Sequence, residues 1–356
     1  MGLKVKVLLV TNYITHYNLP LYERLGSMYD LTVIYSCGEF KNKDTHFSYK
    51  YISTYKFKRF NIYKKYIGKI CKQFDVVIFF GDIAYLNNTF IILNKHRSYK
   101  VIIWGIGVSA SYDKKFDEVT KWDHVRNFIY KRADANIFYS EYPIQKYIEA
   151  GFDKQTLFVA NNTLEVDPYI EGIEKDSILF IGTLYIQKGI KTLLEQYKKA
   201  YDMNHYIPIF NIVGGGTDYD LVVKWINENN LSDKIKVHGS IYDLNTKRIF
   251  FERAYATISP MQAGLSVLES MGYGTPFVTM HDAITGGERF NIEHNKNGIL
   301  MKNIEEISEI IIDITNNPNK YIHFGINAKE YYYSCRTIDH MTNEFRNAID
   351  YVLNKV

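Results

Sequence analysis

The sequence contains few cysteines, and their positions exclude the sites that cysteines most often build. Cys37, Cys71 and Cys335 lie far apart in a chain of 356 residues, with no CxxC pair and no Cys/His ligand spacing. A zinc centre or a disulfide framework needs such spacing, so we expect neither. Free cysteines also fit a reduced, cytoplasmic compartment.

Long apolar segments are absent as well. The apolar run near the N-terminus is too short to cross a membrane, and no small-residue cleavage site follows it. The most apolar window, residues 76–93, is interrupted by Asp82, Asn87 and Asn88. We therefore predict neither a transmembrane segment nor a secretion signal. The net charge of +4 is mild, and we expect no nucleic-acid partner.

Carboxylates are missing from residues 55–73, where seven Lys or Arg residues occur. Apolar residues recur there at a helical period, at Ile62, Tyr63, Tyr66, Ile67, Ile70, Cys71 and Phe74. The pattern predicts a basic amphipathic helix. Two interpretations stay open. The helix packs on a sheet with its lysines solvated, or residues 56–72 make a peripheral contact with an anionic membrane.

The length suits two α/β domains better than one core. Apolar runs alternate with amphipathic segments in two series, separated by a polar stretch that contains Pro168. Such runs predict parallel sheets covered by helices on both faces. We expect two Rossmann-like domains facing each other across a ligand-binding cleft, with this division: an N-terminal domain (1–165), a linker (166–176), a donor-binding domain (177–335) and a C-terminal helix (336–356).

The periodicity also predicts individual elements. The predicted strands are 4–11, 31–36, 75–80, 101–104, 135–139, 156–159, 177–182, 208–213, 234–238, 257–259, 276–280 and 298–301. Besides the basic helix, helices are predicted at 19–28, 125–131, 144–150, 189–201, up to 226, 247–251, 265–272, 304–315 and 338–353.

Two strand–loop–helix segments of the second series carry phosphate-binding chemistry. In the first, Gly182 ends a strand and Lys188-Gly189 opens a helix, so that backbone N–H groups and one ammonium could hold an anion. A solvated Lys beside a capping Gly is the alternative. In the second, a loop ending in Gly264-Leu265-Ser266 opens a helix, and Glu269 follows one turn later, within reach of a ribose diol.

Together these motifs resemble retaining glycosyltransferases of the GT-B fold, in particular family four and a subgroup associated with surface-polysaccharide assembly. The resemblance is clear over residues 178–301. Its further motifs are the strand end Val213-Gly214-Gly215-Gly216, the glutamate helix followed by Gly274-Thr275-Pro276, and Glu288 with Asn297-Gly298. The GT-B fold implies a C-terminal helix that crosses back to the N-terminal domain.

The resemblance implies roles for individual residues. Lys188 would contact the donor diphosphate and act in catalysis, and Glu269 would bind the nucleotide ribose. The remaining donor-binding positions would be Gly182, Thr183, Gly214, Gly264, Leu265 and Ser266. The donor is a substrate, and neither a cofactor nor a metal is expected. The Asp218-Tyr219-Asp220 sequence is interpreted as helix capping, which agrees with metal independence.

Three positions depart from the family pattern. Met261 stands where a first glutamate is usual, and Gln262 beside it is a candidate substitute. Thr183 stands where Arg is frequent, and Ile106 where His is frequent. The loop of Ile106 is equally consistent with a tight glycine turn and with a donor-sugar contact.

Polar candidates in the N-terminal half follow two strands. His16 and Asn18 follow the first strand, in a loop that borders acceptor and donor phosphate in the family, and Asp82 could bind acceptor hydroxyls. We assign His16 and Asp82 as catalytic candidates with Lys188. A surface histidine and a turn aspartate are the competing interpretations. Asp134 is interpreted as a helix cap.

The sequence thus predicts an enzyme that moves a sugar from a nucleoside diphosphate sugar to a hydroxyl of a glycan or lipid-linked oligosaccharide. Retention of anomeric configuration follows from the resemblance. A sugar-nucleotide epimerase is the first alternative, but no strong acid/base pair is visible. A non-catalytic sugar-nucleotide-binding protein is the second, and the departures at Met261, Thr183 and Ile106 favour it. A dehydrogenase is disfavoured because no GxGxxG follows the first strand.

Overall fold

A computed structural model describes residues 4–42, 44–110, 116–167, 173–185 and 188–354. Its first elements are β1 (Lys6–Val10), α1 (Leu19–Met28), β2 (Asp30–Tyr35), β3 (Ser48–Tyr51), β4 (Thr54–Phe57), β5 (Phe60–Tyr63), α2 (Gly68–Cys71), β6 (Val76–Phe80), α3 (Leu86–Leu93), β7 (Lys100–Gly105), α4 (Lys121–Tyr130), β8 (Ala135–Phe138), α5 (Ile144–Glu149) and β9 (Leu157–Val159). The remaining elements are β10 (Ser177–Ile181), α6 (Ile190–Met203), β11 (Ile209–Val213), α7 (Tyr219–Glu228), β12 (Ile235–Val237), α8 (Leu244–Arg253), β13 (Ala254–Ile258), β14 (Gln262–Ala263), α9 (Ser266–Gly272), β15 (Phe277–Met280), β16 (Ile284–Thr285), β17 (Gly298–Met301), α10 (Glu306–Asn316), α11 (Pro318–Cys335) and α12 (Ile338–Asn354).

These elements form two compact units. Unit 1 contains β1–β9, α1–α5 and α12, and unit 2 contains β10–β17 and α6–α11. Pro168, in the predicted linker, lies outside the described residues. The structure therefore has two α/β domains, each built on a parallel sheet.

The sheet of unit 1 has the strand order β3-β2-β1-β6-β7-β8-β9, and every neighbouring pair is parallel. Alternate residues of β1 enter two different cores. Val7 and Leu9 belong to one buried cluster, and Leu8 and Val10 belong to another on the opposite face. The continuous apolar run of β1 is thus explained by a sheet that is buried on both faces.

The last helix covers one of these faces. Phe345 and Ile349 of α12 are fully buried in the cluster that contains Val7 and Leu9. The Phe345 ring meets the Trp104 ring edge to face, with centroids 5.1 Å apart. Although α12 is the last element of the chain, it supplies part of the core of unit 1.

The sheet of unit 2 has the order β12-β11-β10-β13-β15-β17, again with parallel neighbours. A separate parallel pair, β14 and β16, lies beside it. The unpredicted helix α11 buries Tyr321, Phe324, Ala328 and Tyr332. Gly325 of α11 lies so close to the Gly274 carbonyl that a Cβ would collide with it. Backbone contact therefore holds α11 in place as well as side-chain burial.

Most predicted elements are confirmed, with ends that shift by one to four residues. The predictions for α1 (Leu19–Met28) and β17 (Gly298–Met301) match the structure at both ends. Besides α11, the sequence patterns missed β3, α3 and the short strands β14 and β16. Among the described residues, no helix is long and apolar enough to cross a membrane.

The predicted basic helix over residues 62–74 is wrong. Residues 54–63 form an antiparallel hairpin, with Lys58 at its turn in the left-handed conformation (φ 52°), and only Gly68–Cys71 is helical. The apolar period arises because Tyr63, Ile67 and Cys71 all enter one core from different local structures. The segment therefore cannot contact a membrane as one amphipathic helix.

We predict that Phe345→Ala destabilises the protein by about 3–5 kcal/mol, because it leaves a cavity beside Trp104. Chemical denaturation followed by circular dichroism measures this change. Phe128→Ala is the matched control, since Phe128 is 56% exposed, and its effect should stay within about 0.5 kcal/mol. Equal effects of the two substitutions would contradict the assigned packing of α12.

Candidate active site

Glycines allow the loops after β10 and β11 to touch through their backbones. Gly182 and Gly214 have φ angles of 142° and 158°, and a Cβ on Gly214 would collide with the Gly182 carbonyl. The Leu184 N–H donates to the Gly215 carbonyl at 2.9 Å. Gly214 is therefore required by close backbone approach, and Gly182 by its positive φ, whatever ligand they contact.

Lys188 lies at the end of the first of these loops, immediately before α6. Its Nζ is so near Gly182 that a Cβ there would lie 2.6 Å away. Burial lowers the pKa of Lys188 to about 8, and no described carboxylate contributes to that shift. A buried ammonium of this kind is costly unless it meets an anion. Neighbouring Ile186 and Gln187 lie outside the described residues.

A second buried lysine shows the contrast. Burial also lowers the pKa of Lys175 to about 8. Its Nζ, however, donates to the carbonyls of Glu252 and Ala254 at 3.2 and 2.7 Å. The Lys175 ammonium thus has hydrogen-bond acceptors within the protein, and it links α8 to β13. Of these two buried lysines, Lys188 is the one suited to bind an external anion.

The loop that carries Lys188 contacts the loop that precedes α9. The Tyr185 hydroxyl donates to the Gln262 side-chain oxygen at 3.0 Å. Gly189 has a positive φ of 73° and lies against Met261, whose Cγ would be 2.6 Å from a Cβ on Gly189. Met261, at the position of the missing glutamate, therefore lies partly exposed against the start of α6, and Gln262 links the two loops.

The loop at the start of α9 has open space beside its backbone N–H groups. A Cβ at Gly264 would meet no heavy atom within 4 Å, so this glycine is not explained by packing. Leu265 is the helix cap and Ser266 the first helical residue. The helix is anchored at its other end, where the Ser270 hydroxyl lies 2.7 Å from that of Thr257. Space is therefore open beside Gly264, while a side-chain hydrogen bond fixes the far end of α9.

Glu269 is buried on α9 and forms an ion pair with Lys247 of α8, which is itself mostly buried. Sequence reasoning missed Lys247, because no spacing along the chain connects it with Glu269. The pair fixes the position of the carboxylate that the resemblance assigns to ribose recognition. The structure thus brings Lys188, the α9 loop and Glu269 into one unit.

Glu288, Asn297 and Asp134, which also belong to the sequence motifs, make hydrogen bonds that stabilise the fold. One carboxylate oxygen of Glu288 accepts from Gly286 N–H at 2.8 Å and from the Thr285 hydroxyl at 3.1 Å. The Asn297 side-chain oxygen accepts from Glu293 N–H at 2.7 Å. These contacts stabilise the turns between β16 and β17. The prediction that Asp134 caps a helix is wrong: it precedes β8, pairs with Arg97 at 2.8 Å and accepts from Val101 N–H.

The acidic pair after β11 does not behave as predicted. Asp218 occupies the cap position of α7, but its side chain makes no capping hydrogen bond, and Asp220 lies in the first turn. Within the described ranges, no cluster of three or more His, Cys, Asp or Glu residues is arranged to hold a metal ion. The sequence therefore predicted correctly that this acidic pair lies at the start of a helix, but the predicted capping hydrogen bond is not formed.

The catalytic candidates of unit 1 lie at the carboxyl ends of neighbouring strands. His16 is exposed after β1, and its ring meets that of Tyr17. Asp82 follows β6, and one carboxylate oxygen accepts from Ala84 N–H at 2.9 Å, which is a local turn. Gly107, next to Ile106, is in the left-handed region and packs on Phe138. The geometry of Gly107 is thus enough to explain the loop of Ile106 as a tight glycine turn.

A known protein family matches most of the sequence of unit 2. The family described as glycosyl transferases group 1 matches residues 168–331. Residues 168–331 are thus similar to a group 1 glycosyltransferase domain. The match confirms the predicted resemblance to this family of transferases for these residues. The glycine loops, Lys188 and Glu269 all lie within the matched residues.

Two curated relatives and one solved structure are similar to the whole or part of the chain. An uncharacterized glycosyltransferase of Haemophilus influenzae is 29% identical over 177 residues, which cover 46% of this chain and 46% of that protein. The chain thus matches about half the length of this relative. An uncharacterized protein in the cps region of Klebsiella pneumoniae is 26% identical over 294 residues, 78% of this chain and 76% of the relative.

The solved structure is Anabaena Alr3699/HepE in complex with UDP and glucose. It superposes with a TM-score of 0.73 over 97% of this chain and 99% of its own, at 13% identity. Such low identity shows the fold alone. The prediction of a GT-B fold with two parallel-sheet domains is confirmed.

We predict that Lys188→Met stabilises the protein at neutral pH, because it removes a buried ammonium. Below pH 8 the lysine is charged in both states and the folded state bears the desolvation cost. As pH rises from about 8 towards the unfolded value, the folded lysine loses its proton and wild type regains stability. Denaturation as a function of pH should therefore show the advantage of the variant shrinking above pH 8.

Lys175→Met is the matched control for this experiment. It removes an equally buried ammonium, but it also leaves the carbonyls of Glu252 and Ala254 without their donor. It should destabilise the protein at every pH. A Lys188→Met variant that behaves in the same way would show that Lys188 is structural.

Proposed function

We propose that the protein transfers a sugar from a nucleoside diphosphate sugar to a hydroxyl of a glycan or lipid-linked oligosaccharide. The observation that carries this proposal is the buried ammonium of Lys188 in the group 1 domain, on a loop joined to the one that opens α9. The solved structure of similar fold was crystallised with UDP and glucose, which supports a nucleotide-sugar donor.

Each group in unit 2 has a distinct part in this proposal. Lys188 holds the donor diphosphate and stabilises the negative charge that develops as the sugar leaves. The amide N–H groups of Gly264, Leu265 and Ser266 donate hydrogen bonds to phosphate oxygens. Glu269, fixed by Lys247, accepts hydrogen bonds from the nucleotide ribose. Gly182, Thr183 and Gly214 shape the surface on which the diphosphate rests.

We propose that the reaction retains the anomeric configuration and proceeds without a metal ion. Lys188 supplies the positive charge that a metal would otherwise supply to the leaving diphosphate. The leaving phosphate takes the proton of the acceptor hydroxyl. The anomer of the product, assigned by NMR, and activity in the presence of EDTA test these two points separately.

We further propose that the acceptor belongs to cell-surface polysaccharide assembly. The relative from Klebsiella is described as a protein in the cps region, which supports this assignment. His16 and Asp82 are the acceptor-side candidates in unit 1, because both follow strands at the carboxyl edge of its sheet.

A thermal-shift screen against UDP, GDP, CDP, dTDP and their sugars tests the donor site. A ligand at a hundred times its dissociation constant stabilises the folded state by about 2.7 kcal/mol. We expect one nucleotide family to raise the melting temperature. Lys188→Ala and Glu269→Ala should each weaken that binding about tenfold to a hundredfold, since each removes a charged hydrogen bond.

Lys191→Ala and Glu195→Ala are the controls, because both side chains are exposed on the neighbouring helix α6. Full affinity in the Lys188 and Glu269 variants would overturn the site. Binding without turnover on any acceptor would favour the non-catalytic alternative, and interconversion of the sugar nucleotide would favour the epimerase.

The Lys247–Glu269 pair gives a separate prediction. Lys247→Ala should raise KM for the donor while changing kcat little, because it frees the carboxylate that positions the ribose. Lys247→Arg should restore most of the affinity. Steady-state kinetics with varied donor measure this, and Lys224→Ala, which removes an exposed pair on α7, is the control. A loss confined to kcat would contradict the positioning role.

A further inference from the structure

The β4–β5 hairpin of unit 1 has one aromatic face. Tyr55 pairs with Ile62 and Phe57 pairs with Phe60, so these four side chains lie on the same face of the hairpin. Tyr55 and Phe57 are each 61% exposed. Tyr63, at the alternate position, is buried in the core. The hairpin therefore packs through one face and presents aromatic rings on the other.

Helix α4 extends this aromatic face. Trp122, Val125 and Phe128 recur every three residues along α4 and are 39%, 40% and 56% exposed. The rings of Phe60 and Trp122 have centroids 6.5 Å apart. The Arg59 guanidinium lies 3.5 Å from the Trp122 ring centroid and 5.0 Å from that of Phe60. Hairpin and helix thus form one continuous surface.

Positive charge surrounds these rings. Lys58 lies 6.0 Å from the Phe57 ring and Lys64 lies 5.0 Å from the Tyr55 ring. Residues 55–73 contain seven Lys or Arg residues and no carboxylate. The one carboxylate of α4, Asp123, pairs with Arg126 at 2.5 Å. We call Tyr55, Phe57, Phe60, Trp122 and Phe128, with Lys58, Arg59 and Lys64, the aromatic–basic surface.

We propose that the aromatic–basic surface docks the enzyme onto an anionic lipid bilayer. Contiguous exposed apolar side chains mark interaction sites. Tyr and Trp rings favour the interface between headgroups and acyl chains. Neighbouring Lys and Arg side chains gain energy from anionic headgroups. The combination fits a lipid surface into which rings insert and on which cations remain at headgroup level.

The positive charge of the aromatic–basic surface favours an anionic bilayer over a second copy of the chain as its binding partner. Self-association through this surface would bring two copies of Lys58, Arg59 and Lys64 together, and like charges across an interface oppose binding. An anionic bilayer presents the complementary charge over an extended plane. The predicted helix is thus replaced by a hairpin and a helix, and the bilayer contact now includes α4, which the sequence pattern did not include.

Docking would hold the enzyme beside a lipid-linked acceptor. Only this consequence rests on the proposed function, since vesicle binding is measured without donor or acceptor. Thermal shift with the nucleotide identified for wild type, applied to each variant, separates the two proposals. A docking variant that still binds nucleotide leaves the donor site intact, whatever the vesicle result.

The test is co-sedimentation with vesicles of phosphatidylcholine alone and of phosphatidylcholine mixed with phosphatidylglycerol. We expect binding to the anionic vesicles that weakens with salt. Lys58→Glu with Lys64→Glu, at the two lysines beside the Phe57 and Tyr55 rings, should reduce it about thirtyfold or more, since each cation near the surface contributes about 1 kcal/mol. Tyr55→Ser with Phe57→Ser should reduce it at high and low salt alike.

Tyr206→Ser with Tyr242→Ser is the matched control, because these rings are 87% and 86% exposed in unit 2. This variant should bind vesicles as wild type does. Unchanged melting temperatures show that all variants are folded. Trp122 provides a second readout: its emission should shift to the blue on anionic vesicles, and Trp122→Phe should abolish the shift.

Two results would overturn the proposal. One is vesicle binding that is absent, or that the charge and ring substitutions leave unchanged. The other is a dimer in sedimentation equilibrium that the ring substitutions dissociate, which would assign the surface to a second copy.

Discussion

A parallel sheet has two apolar faces, and both must be covered before its strands can leave water. This constraint organises each unit. In β1, Val7 and Leu9 require one helical layer and Leu8 and Val10 another. The requirement explains why the last helix, α12, packs in unit 1, and why α11 approaches Gly274 closely enough to need a glycine. Because the strands of each sheet are parallel, their carboxyl ends and the loops after them lie at one edge of that sheet.

At that edge in unit 2, backbone packing and ligand chemistry depend on the same residues. Gly182 and Gly214 allow two loops to touch, and that contact sets where Lys188 begins α6. The resulting burial lowers the pKa of Lys188, which makes its ammonium a cost to the folded protein in the absence of an anion. A buried charge that weakens the fold is typical of functional sites. Lys175, equally buried but bonded to carbonyls, lacks that character.

Unit 1 shows how one pattern can predict the wrong structure for a sound physical reason. Tyr63, Ile67 and Cys71 follow a helical spacing and do face the same core, yet Tyr63 arrives from a strand and the other two from around a short helix. The basic residues between them belong partly to a hairpin. Tertiary packing selected the backbone conformation, while the pattern recorded only which residues are buried.

The sequence by itself determined the two-domain α/β fold, most strands and helices, and the loops that carry Lys188 and Glu269, because buried strands and glycine-rich turns have local signatures. Only the tertiary structure decided which partners those residues meet. Lys247 reaches Glu269, and Tyr185 reaches Gln262, across loops that no spacing connects. Likewise, Trp122 joins Phe60 only when α4 lies beside the hairpin. Such contacts depend on how elements pack, and side-chain patterns within one element do not contain that information.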